Sequence, residues 1–303
     1  MIGLENLVLL NVRYLPRMKK NWLIVSGSAL LSLAILYLII FKVMPPLDRS
    51  QPGSFTNFYF VTFILPVLVA PILEEIRFRG FLTNNKVLQA LFLFLTPLGL
   101  ILSGWNTFIF FLMVMVYSLF FIYKYLGHNW ILDILIIVSA LYFSTHHLSL
   151  EASLTRSWLP FLAISFSLGL ILSWLIINKS IWWAMLFHGA WNLLMAIIIL
   201  LSLQFVSDDL HIVEGDGFKL EWKRVPFLES NVSSYSPEGD ELQITNMNLQ
   251  DILGIVNPSL LDSFAISEPF MKYEIKLESE GGYDVMKVNL IKALESDSLL
   301  VRR

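Results

Sequence analysis

The sequence predicts an all-α polytopic membrane protein of about seven transmembrane helices, followed by a small C-terminal α+β soluble domain. Three observations carry this. Of 303 residues, 56% are hydrophobic and 15% are charged, against about 25% charged in an ordinary soluble domain. Apolar runs long enough to cross a bilayer, which takes about 20 helical residues, recur along the first two thirds of the chain. The charge is also unevenly divided. Residues 1–206 hold 12 Lys/Arg and 6 Asp/Glu, whereas residues 207–303 hold 9 and 18. The expected division is therefore a membrane domain over 1–206 and an acidic domain over 207–303.

The seven runs cover about 22–43, 58–82, 87–103, 105–123, 130–149, 158–177 and 181–206. The first follows Arg13, Arg17, Lys19 and Lys20, and is too long and too poorly followed by small residues for a cleaved signal peptide. Residues 44–57 read as a loop from their Pro, Gly and Ser content. Pro66 and Pro71 are expected to kink the second run. Ser103 and Gly104 join the third and fourth. In the tail, Lys272–Leu277 alternates like a strand and Leu249–Val256 reads as a helix.

Lys/Arg bias in short loops sets orientation. With the N-terminus in the cytoplasm, the inside segments hold nine basic residues: Arg13, Arg17, Lys19, Lys20, Arg77, Arg79, Lys86, Lys124 and Lys179. The outside loops hold Arg49 and Arg156, with Lys42 at a span end. An odd number of spans then places the acidic tail outside the cytoplasm, where it would recruit or screen substrates. The absence of cysteine excludes disulfides, thiolate metal sites and cysteine nucleophiles. Basic residues are scattered at the ends of apolar runs, so the expected partner is the lipid bilayer and not nucleic acid.

Ionisable groups within a membrane cost roughly 2.5–3.5 kcal/mol each on insertion scales and mark function by default. Three clusters stand out: Glu74-Glu75-Ile76-Arg77-Phe78-Arg79-Gly80, Phe143-Ser144-Thr145-His146-His147, and His188-Gly189-Ala190-Trp191-Asn192. Glu75 and Arg79 are four apart and can pair on one helix face, which leaves Glu74 for other work. His188 and Asn192 share a face in the same way. Singly, each cluster has a plain structural explanation: a charged helix end, a hydrogen-bonded histidine, or polar contacts between helices. Together they supply a base for water, a histidine to position that water, and donors for an oxyanion. The same Glu74 with two histidines could instead hold zinc, although no H-E-x-x-H helix and no G-x-S-x-G turn is present.

These residues resemble the CPBP family of intramembrane proteases, which includes CAAX proteases, bacteriocin-processing proteins and Abi proteins. Glu74–Leu82 (EEIRFRGFL) is similar to its EExxxR motif, Phe143–Leu148 (FSTHHL) to its FxxxH motif with His147, and His188–Leu194 (HGAWNLL) to its HxxxN motif. The motifs occur in the family order and the likeness covers about residues 58–200. Between Glu74 and His147 the chain has room for an additional helical hairpin at about 87–123. The resemblance implies an all-helical fold around a polar cavity, in a bacterial cytoplasmic membrane, that hydrolyses peptide bonds of membrane-associated peptides or proteins. It implies Glu74 as general base, His147 as a partner in activating water, His188 and Asn192 as the oxyanion site, and Glu75 with Arg79 as a structural pair. It implies glutamate catalysis with no cofactor. The zinc alternative would use Glu74, His147 and His188. A non-catalytic scaffold or bacteriocin self-immunity protein on the same fold is the alternative function. A proton-coupled transporter is disfavoured by the absence of inverted repeats.

Overall fold

The computed structural model describes residues 20–41, 60–102, 106–146, 158–228, 232–261, 263–266, 268 and 270–302. They fall into two compact units, one drawn from Met1–Pro46 and Pro66–Trp191, the other from Leu47–Leu65 and Asn192–Arg303.

The first unit is helical. Helix α1 (Asn21–Phe41) packs on α6 (Trp158–Asn178). A π-helical stretch, Phe60–Val69, leads into α2 (Ala70–Arg79) and a 3₁₀ turn, Gly80–Leu82. Pro66 lies inside the π stretch; it lacks an N–H and crowds the preceding turn, which favours local widening of the helix. Helix α3 (Lys86–Leu102) follows after a tight break at which Asn85 accepts a hydrogen bond from the Val87 N–H at 2.8 Å. Helix α4 (Thr107–Leu126) is capped by the Asn106 side chain and closed by Gly127 in the left-handed conformation (φ 71°). Helices α5 (Asn129–His146) and α7 (Ile181–Gln204) complete the set, and α7 continues into the second unit. The core of this unit runs through Phe78, Phe92, Phe120, Leu135 and Tyr142. Many large apolar side chains, such as Leu33, Phe94 and Trp182, point outward, as a lipid-facing surface requires.

Five described helices, α1 and α4–α7, are long and apolar enough to cross a membrane. The protein is thus a multi-pass membrane protein, and the second and third apolar runs form a bent pair. Helix α3 has 17 residues, about 25 Å at 1.5 Å per residue, short of a hydrocarbon core of about 30 Å. Phe63–Leu82 and Lys86–Ile101 meet at a bend of 117°. Side-chain contacts fix the direction of this bent pair. Lys20, just before α1, forms an ion pair with Asp133 in the first turn of α5, so α1 and α5 begin on the same side. Lys124 at the end of α4 donates to Gln89 at the start of α3 at 3.1 Å, so α3 and α4 run antiparallel. The bent pair therefore contributes an even number of crossings, two or none.

In the second unit a five-stranded antiparallel sheet has the order β1-β2-β6-β4-β3, from β1 (His211–Gly215), β2 (Phe218–Val225), β3 (Ser234–Glu238), β4 (Glu241–Asn248) and β6 (Lys272–Ser279). Strands β5 (Phe264–Ile266) and β7 (Leu300–Arg302) form a separate antiparallel pair. Leu220, Leu277 and Leu242 lie side by side across β2, β6 and β4. With Ile244 and Ile275 they share one buried core with Met286 and Leu290 of α9 (Tyr283–Ser296) and Leu253 of α8 (Leu249–Val256). Alternation along each strand sends Lys219, Glu221, Lys223, Glu274, Lys276 and Glu278 to the opposite face, where Lys223 pairs with Glu274 and Lys276 with Glu241 across strands, and Lys219–Glu221 and Lys276–Glu278 pair along one strand. At the end of the sheet Arg224 grips Glu268 through Nε at 3.0 Å and Nη2 at 3.1 Å, and the Tyr273 hydroxyl donates to the same carboxylate at 2.7 Å. Burial pushes the Glu268 carboxyl up, but the bonds from Arg224 and Tyr273 outweigh it and hold its pKa below the ordinary glutamate value.

Candidate active site

The site is built outward from Glu75. Its side chain is fully buried, and Arg79, one turn along α2 and 1% exposed, donates from Nη1 to Glu75 Oε1 at 2.6 Å. The guanidinium also lies 4.3 Å from the centre of the Phe143 ring. A buried carboxylate left alone would cost several kcal/mol, and a guanidinium at this spacing offsets that cost.

Helix α7 supplies the second partner. Gly189 lets it approach the π-helical stretch so closely that a side chain there would meet the Val67 carbonyl oxygen at 2.7 Å. The neighbouring His188, buried, thereby places Nδ1 2.9 Å from Glu75 Oε1. That oxygen belongs to a carboxylate already bound by Arg79, so it accepts and Nδ1–H donates. The other ring nitrogen, Nε2, faces Glu74 Oε2 at 3.7 Å. Phe143 packs edge-on against the imidazole, with ring centres 5.7 Å apart. Glu74 is about a quarter exposed while Glu75 is sealed. Two adjacent glutamates thus have different surroundings, one locked in an ion pair and one facing a histidine.

Glu74, Glu75, Arg79 and His188 are brought together. Asn192 stands one helical turn beyond His188 on α7. His147 lies outside the described residues. Its neighbour His146, the last residue of α5, points to a different partner: Arg77 Nη2 donates to His146 Nε2, and His146 Nδ1 donates to the Tyr142 carbonyl at 3.2 Å. Since a guanidinium only donates, Nε2 is the acceptor and Nδ1 carries the proton. Ser139 ties the same helix to α2, donating to the Phe78 carbonyl at 2.6 Å. Sequence reasoning placed Arg77 and Arg79 in a cytoplasmic segment. In the fold both turn inward, which leaves seven of the nine inside basic residues to set orientation. The destination of Arg77 had no sequence signal beyond a glycine, Gly99, in an otherwise bulky apolar helix.

Among the described residues no three His, Asp or Glu side chains gather as a metal ion would need. Glu74 and His188 are two of the three ligands the zinc alternative requires.

Residues 56–194, just under half of the chain, match a family model described as Type II CAAX prenyl endopeptidase Rce1-like. No curated protein and no solved structure matches the chain. The matched segment contains Glu74, Glu75, Arg79, His147, His188 and Asn192, in the order of the motifs read from the sequence. Over residues 56–194 the chain is thus similar to the CAAX-type membrane proteases of the CPBP family.

Proposed function

We propose that this protein is an intramembrane endopeptidase that hydrolyses peptide bonds of membrane-associated peptides or protein tails through a water activated by Glu74. The observation that carries the proposal is the shared Glu75 oxygen, which accepts from Arg79 and His188 together and leaves His188 Nε2 facing Glu74. In this reading Glu74 removes a proton from water as the water attacks the scissile carbonyl, and later returns it to the leaving amine. His147 orients the water. His188 Nε2 and the Asn192 amide donate to the oxyanion that forms.

The fixed tautomer imposes a condition. With Nδ1–H committed to Glu75, Nε2 can donate only when both ring nitrogens carry protons. In that form the positive charges of His188 and Arg79 face the carboxylates of Glu74 and Glu75. Glu75 is then a positioning residue for His188 and takes no part in the proton transfers.

Substrates are identified by comparing membrane and extracellular proteomes of wild-type cells with those of a Glu74→Gln strain. Fragments present only in the wild type are the expected products. Identical fragment sets in an expressing strain contradict the proposal.

A further inference from the structure

We infer that Arg77 and His146, neither of which belongs to the family motifs, are positioning residues for this site, and that Gly99 is their seat. The inference rests on the hydrolytic reading above. Arg77 follows Glu74 by three residues on α2, and its guanidinium turns toward neighbouring helices. It crosses to α5, donating to His146 Nε2 and to the Tyr142 hydroxyl at 3.4 Å. It also lies 4.8 Å from the centre of the Phe78 ring. On its other side it rests on the backbone of α3 at Gly99, where any side-chain carbon would overlap the guanidinium. One side chain therefore touches three helices.

The consequence lies at the end of α5. The His146 ring folds back on the last turn of its own helix, where Nδ1–H donates to the Tyr142 carbonyl. His146 is itself held by Arg77. From there an unbroken set of edge-on ring contacts leads to the site. His146 meets Phe78 at 5.4 Å and Tyr142 at 4.7 Å, Phe78 meets Phe143 at 5.3 Å, and Phe143 meets His188 at 5.7 Å. The clasp fixes the end of α5 against the helix that carries Glu74 and Glu75, and keeps Phe143 against the imidazole. Misplacement of reacting groups by about 1 Å can cost on the order of 100-fold in rate. A loss of the clasp should therefore appear in kcat, with binding of substrate little changed.

The test uses the full chain in proteoliposomes and a farnesylated, internally quenched peptide ending in a CAAX sequence. The variants are Arg77→Met, His146→Leu, their double, His146→Gln and Gly99→Ala, each checked for monodisperse elution, with Glu74→Gln as reference. Arg77→Met and His146→Leu should lower kcat about 10–100-fold with KM within about threefold, and the double should be no worse than the worse single. Gly99→Ala, which evicts the guanidinium without altering α2 or α5, should do the same. His146→Gln keeps an acceptor for Arg77 and should recover to within about threefold of wild type. Additive losses, a change in KM alone, or a glutamine variant no better than the leucine variant overturns the inference. Should these variants cleave like wild type while Glu74→Gln is inactive, the inference fails and the functional reading stands. Should Glu74→Gln cleave like wild type, or the wild type leave the peptide intact, the reading fails and the inference with it.

Discussion

Arg79 and His188 donate to the same oxygen of Glu75, at 2.6 and 2.9 Å, in a region closed to solvent. The pair is therefore asymmetric in what its loss would do. Glu75→Ala strands a buried guanidinium and releases the imidazole, and should destabilise the fold by about 3–5 kcal/mol. Replacing both members, Glu75→Leu with Arg79→Met, should be milder than Glu75→Ala because no unpaired charge is buried. Thermal unfolding in detergent, followed by size-exclusion fluorescence, measures both. A double variant less stable than Glu75→Ala would show that the pair stabilises the fold by more than its desolvation costs.

The sidedness of the chain follows from Lys20 and Asp133. Because the bent pair crosses twice or not at all, the passages from α1 to α7 are odd in number. With seven basic residues on the side of the α1 start and two on the other, the expectation is a cytoplasmic start. A reporter fused after Arg303 is expected to be active as alkaline phosphatase and dark as green fluorescent protein. The reverse pattern would mean that Phe63–Ile101 crosses once.

Sequence and fold agree where a local rule applies and part where geometry is long-range. The Glu75–Arg79 pair was readable because four residues make one helical turn. The α8 helix was readable from its apolar spacing, and β6 from alternation. Hydropathy recognised both halves of Phe63–Ile101 as apolar but carries no information about the 117° between them. It read Arg77 as a surface anchor because an isolated arginine in a membrane helix costs most when unpaired, and its partners lie 65 and 69 residues away. Helix α9 was missed: its Asp284, Lys287, Lys292 and Glu295 dilute the apolar stripe formed by Met286, Leu290, Ala293 and Leu294.

The tail domain should weaken in acid through Glu268. Its pKa is lower in the folded state than in the unfolded chain, so the unfolded state takes up a proton first as pH falls. The stabilisation is complete above the ordinary glutamate value of about 4.3 and is lost as pH falls through the depressed folded value. Hydrogen exchange of β6 amides in the full chain should quicken across that interval, and Glu268→Gln should flatten the dependence. An unchanged pH profile in the variant would assign the acid sensitivity to other groups.

Peptidase activity is expected to survive chelation. The bond from His188 to Glu75 would suit a metal ligand as well as an oxyanion donor, so this is decided by measurement. Stoichiometric zinc in the purified protein, with activity lost to chelator and restored by zinc, would replace the glutamate mechanism with a metal-bound water.

The central claim is that Glu74 is the base. Glu74→Gln preserves size and a polar contact with His188 while removing the ability to take a proton, so kcat toward the quenched farnesyl peptide should fall about 10²–10⁴-fold with KM little changed. Asn192→Ala, as the loss of one oxyanion donor, should fall about 10²–10³-fold in the same assay. Undiminished cleavage by Glu74→Gln, in protein that elutes and melts like the wild type, would contradict the account.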